Sequence, residues 1–223
     1  MSQKMATKTI IQRVLVIALL TIFAGTGILV ANFETPGADE AIDGDVKKIS
    51  SFSDGSLLLL GDFSHGPFIK LNSDLTVDGD FLASFDKGYF NGDIHDFVIN
   101  KDDSIIVVGD FTVVDQSLTG SIVKLNKNGE TDTQFIKNTG TGFDGPLYTI
   151  AKNTAGKLVV SGDINSFNGK EVSRLVYLSQ SGKEPTYNDN FKQKMAVRIL
   201  ASDDGSMLFF NKEEGSNRMV LEH

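Results

Sequence analysis

The chain of 223 residues has no cysteine, no tryptophan and only 4 prolines. Without cysteine there is no disulfide framework, no thiolate ligand for zinc or an iron–sulfur cluster, no thiol nucleophile and no bacterial lipid-anchored cysteine. Basic residues are also in deficit. The first 31 residues hold three of them, Lys4, Lys8 and Arg13, and no acid, so the rest of the chain sets 18 basic against 29 acidic residues, a net charge of −11. Such a body repels phosphate backbones, which argues against a nucleic-acid partner. Catalytic signatures are missing too. There is no Gly-x-Ser-x-Gly elbow, no P-loop and no dinucleotide fingerprint. The three histidines, His65, His95 and His223, have no metal-ligand spacing and read as loop or surface residues. No cofactor is implied.

What the chain does have is one apolar run, VLVIALLTIFAGTGILVA at 14–31, without a charged residue. As a helix it would be about 27 Å long, marginally enough to span a bilayer. Basic residues precede it and Glu34, Asp39, Glu40, Asp43 and Asp45 follow, which by the positive-inside rule sends the remainder out of the cytoplasm. Two fates stay open. Leu29 is a poor match to the small-x-small rule for cleavage at Ala31, and the run is longer than an ordinary signal core, so an uncleaved anchor is favoured over a signal peptide. A buried core helix is the third reading. Residues 32–43 form a polar linker or a closing strand.

Internal repetition organises the remainder. DGSLLLLGDF (54–63), DDSIIVVGDF (102–111), AGKLVVSGDI (155–164) and DGSMLFFNKE (204–213) align on Gly61, Gly109, Gly162 and Asn211, with spacings of 48, 53 and 49. Another apolar stretch precedes each turn, and Asp-Gly, Asn-Gly and Ser-Gly pairs supply hairpin chemistry. Each unit reads strand–turn–strand–loop–strand–turn, with a weaker fourth strand around Phe81–Phe85, 132–137 and 187–191. The second strand (LLLL, IIVV, LVV, MLFF) is apolar on both faces, which calls for packing on both sides by neighbouring units. The expected fold class is therefore all-β, a β-propeller of about four blades of three to four antiparallel strands, with units near 44–91, 92–144, 145–192 and 193–223.

Two stretches, GDFTVVDQSLTGSIVKLNKNGETDTQF (109–135) and GTGFDGPLYTIAKNTAGKLVVSGDINSFNG (140–169), resemble the delta-60 repeat of bacterial exported and surface proteins. The first carries Gly-Asp-Phe, a loop, an apolar strand ending in Leu-Asn, and Asp-x-x-Phe, and the second carries the Gly-Lys-apolar strand, Gly-Asp and a loop with Asn-Gly. The resemblance covers about residues 33–223, is best in the second and third units, and fades in the fourth, where Asn211 and Lys212 replace Gly-Asp. It implies a β-propeller in an extracytoplasmic setting, in the envelope, periplasm or at the surface. It carries no catalytic residue.

The fourth unit stops at its third strand. Residues 32–37 would complete it, since Phe33 stands eleven before Gly44 as Phe81 does before Gly92. Alternatives are a second copy completing the ring and a shortened chain, with Leu221-Glu222-His223 as a tag remnant. Asp62, Asp110 and Asp163 hold equivalent positions and form the one candidate carboxylate set, for a cation or for polymer hydrolysis, against the simpler reading as turn caps. Asp43-Gly44-Asp45 and Asp78-Gly79-Asp80 lack the twelve-residue calcium-loop pattern and read as turns. The longest loops, 112–120 and 165–172, are the expected contact sites for a protein or glycan partner, through Thr112, Val113, Val114, Asp115, Gln116 and Ser117, and through Asn165, Ser166, Phe167 and Asn168. A non-catalytic binding or scaffold module leads. A polymer-acting enzyme and a structural subunit of an envelope assembly, membrane-bound through 14–31 if uncleaved, are the rivals.

Overall fold

The computed structural model describes residues 41–85, 89–183, 185–187, 195–202, 206–212 and 219–222. The apolar run at 14–31, the expected closing strand at 32–37 and His223 lie outside them. Among the described residues no helix is long and apolar enough to cross a membrane. The chain divides into two compact units between Leu82 and Ala83.

The first unit is one antiparallel sheet in the order β1 (Val46–Ser51), β2 (Leu57–Phe63), β3 (Gly66–Leu71). The β1–β2 turn closes on Asp54, whose carboxylate accepts from the Ser56 amide at 2.9 Å and from its hydroxyl at 2.6 Å. Leu57 to Leu60 are all buried. Ala41 and Ile42, at the end of the segment read as a linker, pack with Leu57, Leu59, Ile69 and Leu71. Lys70 is buried, with its ammonium 2.9 Å from Asp78 and over the rings of Phe52 and Phe81. A buried cation is tolerated only when paired in this way.

The second unit runs β4 (Ile94–Ile99), β5 (Ile105–Gly109), β6 (Val113–Val114), β7 (Ser117–Leu118), β8 (Ile122–Leu125), β9 (Leu147–Lys152), β10 (Leu158–Gly162), β11 (Ser166–Phe167), β12 (Lys170–Glu171), β13 (Leu175–Leu178), β14 (Thr186–Tyr187), β15 (Ala196–Ala201), β16 (Met207–Lys212) and β17 (Met219–Glu222). These make three antiparallel sheets, β4-β5-β8, β9-β10-β13-β14 and β15-β16-β17, and two small ribbons, β6-β7 and β11-β12. The doubly apolar second strand behaves as its composition demands. Leu158 and Val160 of β10 pack in one core with Ile106, Val108 and Ile122 of the preceding sheet. Val159, on the other face, packs with Ile199 and Phe209 of the following sheet. Successive strand residues point to opposite faces, so one strand feeds two cores.

The expected fourth strand is corrected in the first two repeats. Residues after Asp78 and Asp132 form short helices, α1 (Gly79–Ala83) and α2 (Thr133–Thr139). The cause is capping. Asp78 accepts from the Phe81 amide at 3.0 Å, and Asp132 accepts from the Gln134 and Phe135 amides, each at 3.0 Å. The Asp-x-x-Phe pattern is thus a helix N-cap followed by a buried ring, Phe81 or Phe135. In the third repeat a strand does form, as Thr186 and Tyr187 pair with Tyr177 and Val176. Residues 188–191 lie outside the described set.

Candidate functional site

In each sheet the first strand begins, the second ends and the third starts at one common end, and the ribbons grow from that end. In the first three repeats two glycines, Gly44 and Gly61, Gly92 and Gly109, and Gly145 and Gly162, sit where the first two strands cross. Asp62, Asp110 and Asp163 donate their amides to the carbonyls of Asp45, Asp93 and Pro146 at 3.0, 3.0 and 2.9 Å. At these crossings a Cβ on Gly44 would lie 1.7 Å from the Asp62 carbonyl oxygen, and one on Gly145 would lie 2.1 Å from that of Asp163. The partner glycines are as tight, since a Cβ on Gly61, Gly109 or Gly162 would come within 2.3, 2.1 or 2.0 Å of the facing carbonyl. Only glycine admits such an approach.

Immediately after these three crossings, and at the same place in β15, the first strand carries a β-bulge. The register shifts between Val46 and Lys48, Ile94 and Asp96, Leu147 and Thr149, and Ala196 and Arg198. The extra residues are Lys47, His95, Tyr148 and Val197, and a bulge re-aims the side chain it carries. In the second unit the half-buried His95 places Nδ1 2.9 Å from the Leu147 carbonyl and its ring 5.4 Å from that of Tyr148. A carbonyl only accepts, so Nδ1 bears the hydrogen and donates to it. Of the loop or surface positions read from sequence, the loop does not hold, since His95 lies within β4. The signal lay in the repeat offset, since it stands three residues after Gly92 as Tyr148 does after Gly145.

Each ribbon is pinned by an Asx side chain from the segment before its sheet. The Asn91 side-chain oxygen accepts from the Thr112 and Val113 amides at 2.8 and 2.9 Å. Asp144 accepts from the Asn165 and Ser166 amides, both at 2.9 Å. In the first unit Asp43 accepts from the Ser64 amide at 2.9 Å, which gives Asp43-Gly44-Asp45 a structural role. Hydrogen bonds from the Ser64 side chain and amide hold Asp43 below its usual pKa. For Asp144 burial pushes upward, but the Asn165 and Ser166 amides outweigh it and the net shift is downward.

The segments 112–120 and 165–172, expected as loops, are therefore ribbons with two-residue turns. Asp115 and Gln116 have φ of 44° and 61°, and Asn168 and Gly169 have φ of 50° and 73°. Two consecutive positive values mark the turn whose twist suits a hairpin. Val114 and Phe167 are buried and anchor the ribbons, against Phe90 and Phe143 respectively. Thr112, Asp115, Gln116, Asn165 and Asn168 are exposed, while Val113, Ser117 and Ser166 are half-buried. Tyr89 donates its hydroxyl to the Gly129 carbonyl at 2.9 Å. Burial, reinforced by Asp115 and Glu130, pushes that phenol up to about 12.

The three candidate carboxylates each meet a different neighbour. Asp62 pairs with Lys47 at 2.5 Å. Asp110 accepts from the Asp93 amide at 2.5 Å. Asp163 lies 3.3 Å from the Arg174 guanidinium. Among the described residues no group of three or more histidine, aspartate or glutamate side chains is placed to hold a metal ion.

A protein-family model described as a domain of unknown function (DUF5122) β-propeller matches residues 101–135. That stretch runs from the β4–β5 turn through the β6-β7 ribbon to the Phe135 that α2 buries. No curated protein matches the chain. Among solved structures, a Bacteroides caccae protein of unknown function is 15% identical, with a TM-score of 0.43 over 80% of this chain and 60% of that one. Staphylococcus aureus virginiamycin B lyase is 13% identical, with a TM-score of 0.48 over 81% and 57%. The extracellular domain of a B. thetaiotaomicron protein described as a one-component system is 12% identical, with a TM-score of 0.44 over 87% and 23%. The chain spans 60% or less of the length of each of these structures.

Proposed function

We propose that this chain is a non-catalytic recognition or scaffold module of the β-propeller, delta-60 type, working outside the cytoplasmic membrane and binding a protein or glycan through its ribbons. One observation carries the reading. Two equivalent ribbons leave the same end of consecutive sheets with stems fixed by Asn91 and Asp144 and with exposed polar tips. A rigid base presenting a polar tip loses little conformational entropy on binding. The charge distribution around residues 14–31 supports the external location.

The test compares the full-length chain with a variant carrying alanine at Thr112, Asp115, Gln116 and Asn165. Both are immobilised and exposed to a glycan array and to envelope extract. The expected result is a ligand retained by the parent and lost from the variant, with unchanged far-UV circular dichroism. Equal retention by both overturns the reading. Loss instead on Asp110→Asn with Asp163→Asn, together with release of shortened glycans by the parent, would favour the hydrolytic alternative.

A further inference from the structure

The two ribbons are alike in backbone and differ in how they treat their outer edge. In both, the inner strand is occupied on each side. Asn91 and Asp115 donate their amides to the Val113 and Tyr89 carbonyls at 3.2 and 2.8 Å, and Asp144 and Asn168 donate to Ser166 and Gly142 at 3.2 and 2.9 Å. That leaves β7 and β12 as the edges. Thr119 donates to Thr112 at 3.0 Å and Val172 to Asn165 at 2.9 Å. Antiparallel alternation then turns the amide and carbonyl of the intervening residue, Leu118 or Glu171, away from the ribbon.

Exposed edges are normally blunted by charge. The β11-β12 ribbon follows that rule, with Lys170 and Glu171 on its edge strand and a polar Ser166–Glu171 cross-strand pair. The β6-β7 ribbon does not. Its edge carries Ser117 and Leu118, and its equivalent pair is Val113–Leu118. Leu118 is 69% exposed, against 43% for Leu200, the other exposed large hydrophobic residue among those described. Because Val114 is buried, alternation directs Val113 and Leu118 outward together. At the adjoining tip Asp115 is exposed and negative, on a body whose net charge is −11.

We propose that β7 is a docking edge for an extended peptide of apolar and basic character, which adds as a strand beside Ser117–Leu118. An apolar side chain of the peptide covers Leu118 and Val113, the backbone groups of Leu118 pair with the peptide backbone, and a lysine or arginine meets Asp115. Strand addition gives affinity through the main chain and selectivity through alternate side chains. The proposal rests on the ribbon reading, selects one ribbon, and decides for a peptide over a glycan.

Full-length chain in detergent is titrated into the fluorescent peptide KTVTVK and its acidic counterpart ETVTVE. Anisotropy gives the affinity, and hydrogen–deuterium exchange locates the contact. The expected result is binding of the basic peptide alone, slower exchange at 112–119, and roughly tenfold weaker binding by Leu118→Lys, with Glu171→Leu as a neutral control. Equal binding of both peptides, protection at 165–172, or an unaffected Leu118→Lys overturns the proposal. So does concentration-dependent protection of 117–118 without peptide, which assigns the edge to a second copy of the chain. If the basic peptide fails while the four-alanine variant still loses its envelope ligand, ribbon recognition stands and strand addition falls. If that variant keeps its ligand, the ribbon reading itself falls.

Discussion

Single residues carry much of the design, and the most exposed cost is at Gln116. It holds φ of 61° without a glycine's freedom, beside Asp115 at 44°. Left-handed backbone costs an ordinary L-residue roughly 1–2 kcal/mol. Gln116→Gly should therefore raise the urea midpoint, with a gain of about 1 kcal/mol and an unchanged denaturant slope. The Asx anchor makes a second prediction. Asp43 and Asp144 do with a carboxylate what Asn91 does with an amide, so Asn91→Asp should fold with near-parental stability. Asn91→Ala leaves the Thr112 and Val113 amides without that acceptor and should cost about 1–2 kcal/mol in the same measurement.

At the scale of elements, the sequence was legible where period and chemistry agreed and opaque where one overrode the other. The doubly apolar second strand announced two neighbouring cores, and Leu158, Val159 and Val160 occupy them. The fourth strand failed at Phe81 and Phe135 because segments this short have no clear period, and a single upstream aspartate decided for a helix. Asp132→Ala should cost about 1 kcal/mol, read as a lower thermal midpoint with unchanged strand signal. The β6-β7 ribbon was missed as structure because Asp115-Gln116 lacks the glycine that marks a tight hairpin turn, whereas Asn168-Gly169 carried that signal for β11-β12. The bulge residues Lys47, His95, Tyr148 and Val197 could be found only by lining up repeats, since no local pattern distinguishes them. The crossing glycines permit a direct test. Gly44→Ala should destabilise by more than about 2 kcal/mol, whereas Gly79→Ala, with nothing within 4 Å of the added carbon, should be near neutral.

At the scale of the molecule, the three sheets of the second unit are joined side chain to backbone. Asp96 accepts from the Thr149 hydroxyl at 3.1 Å and the Ile150 amide at 2.9 Å, and Thr149 in turn accepts from the Ile199 amide at 3.0 Å. The lowered carboxyl groups also act collectively. Asp43, Asp102 and Asp144 all sit below their ordinary value of 3.8, with Ser64, Ser104 and the Asn165 and Ser166 amides as the lowering partners. Their folded pKa values lie beneath the unfolded ones, so their contribution is complete above 3.8 and disappears as pH falls through the folded values. The urea midpoint should therefore be flat from pH 7 to about pH 5 and drop below pH 4, and Asp144→Asn should shallow that drop. The paired glycines have a consequence for descent. Gly44 to Gly61, Gly92 to Gly109 and Gly145 to Gly162 are each 17 positions apart, while the repeats themselves differ in length. The hairpin between the two glycines is a fixed gauge, because one inserted residue would carry the second glycine out of the crossing. Insertions and deletions are expected to have accumulated in the ribbons and outer connections instead, and a search keyed to that 17-residue interval should find relatives whose overall similarity has eroded.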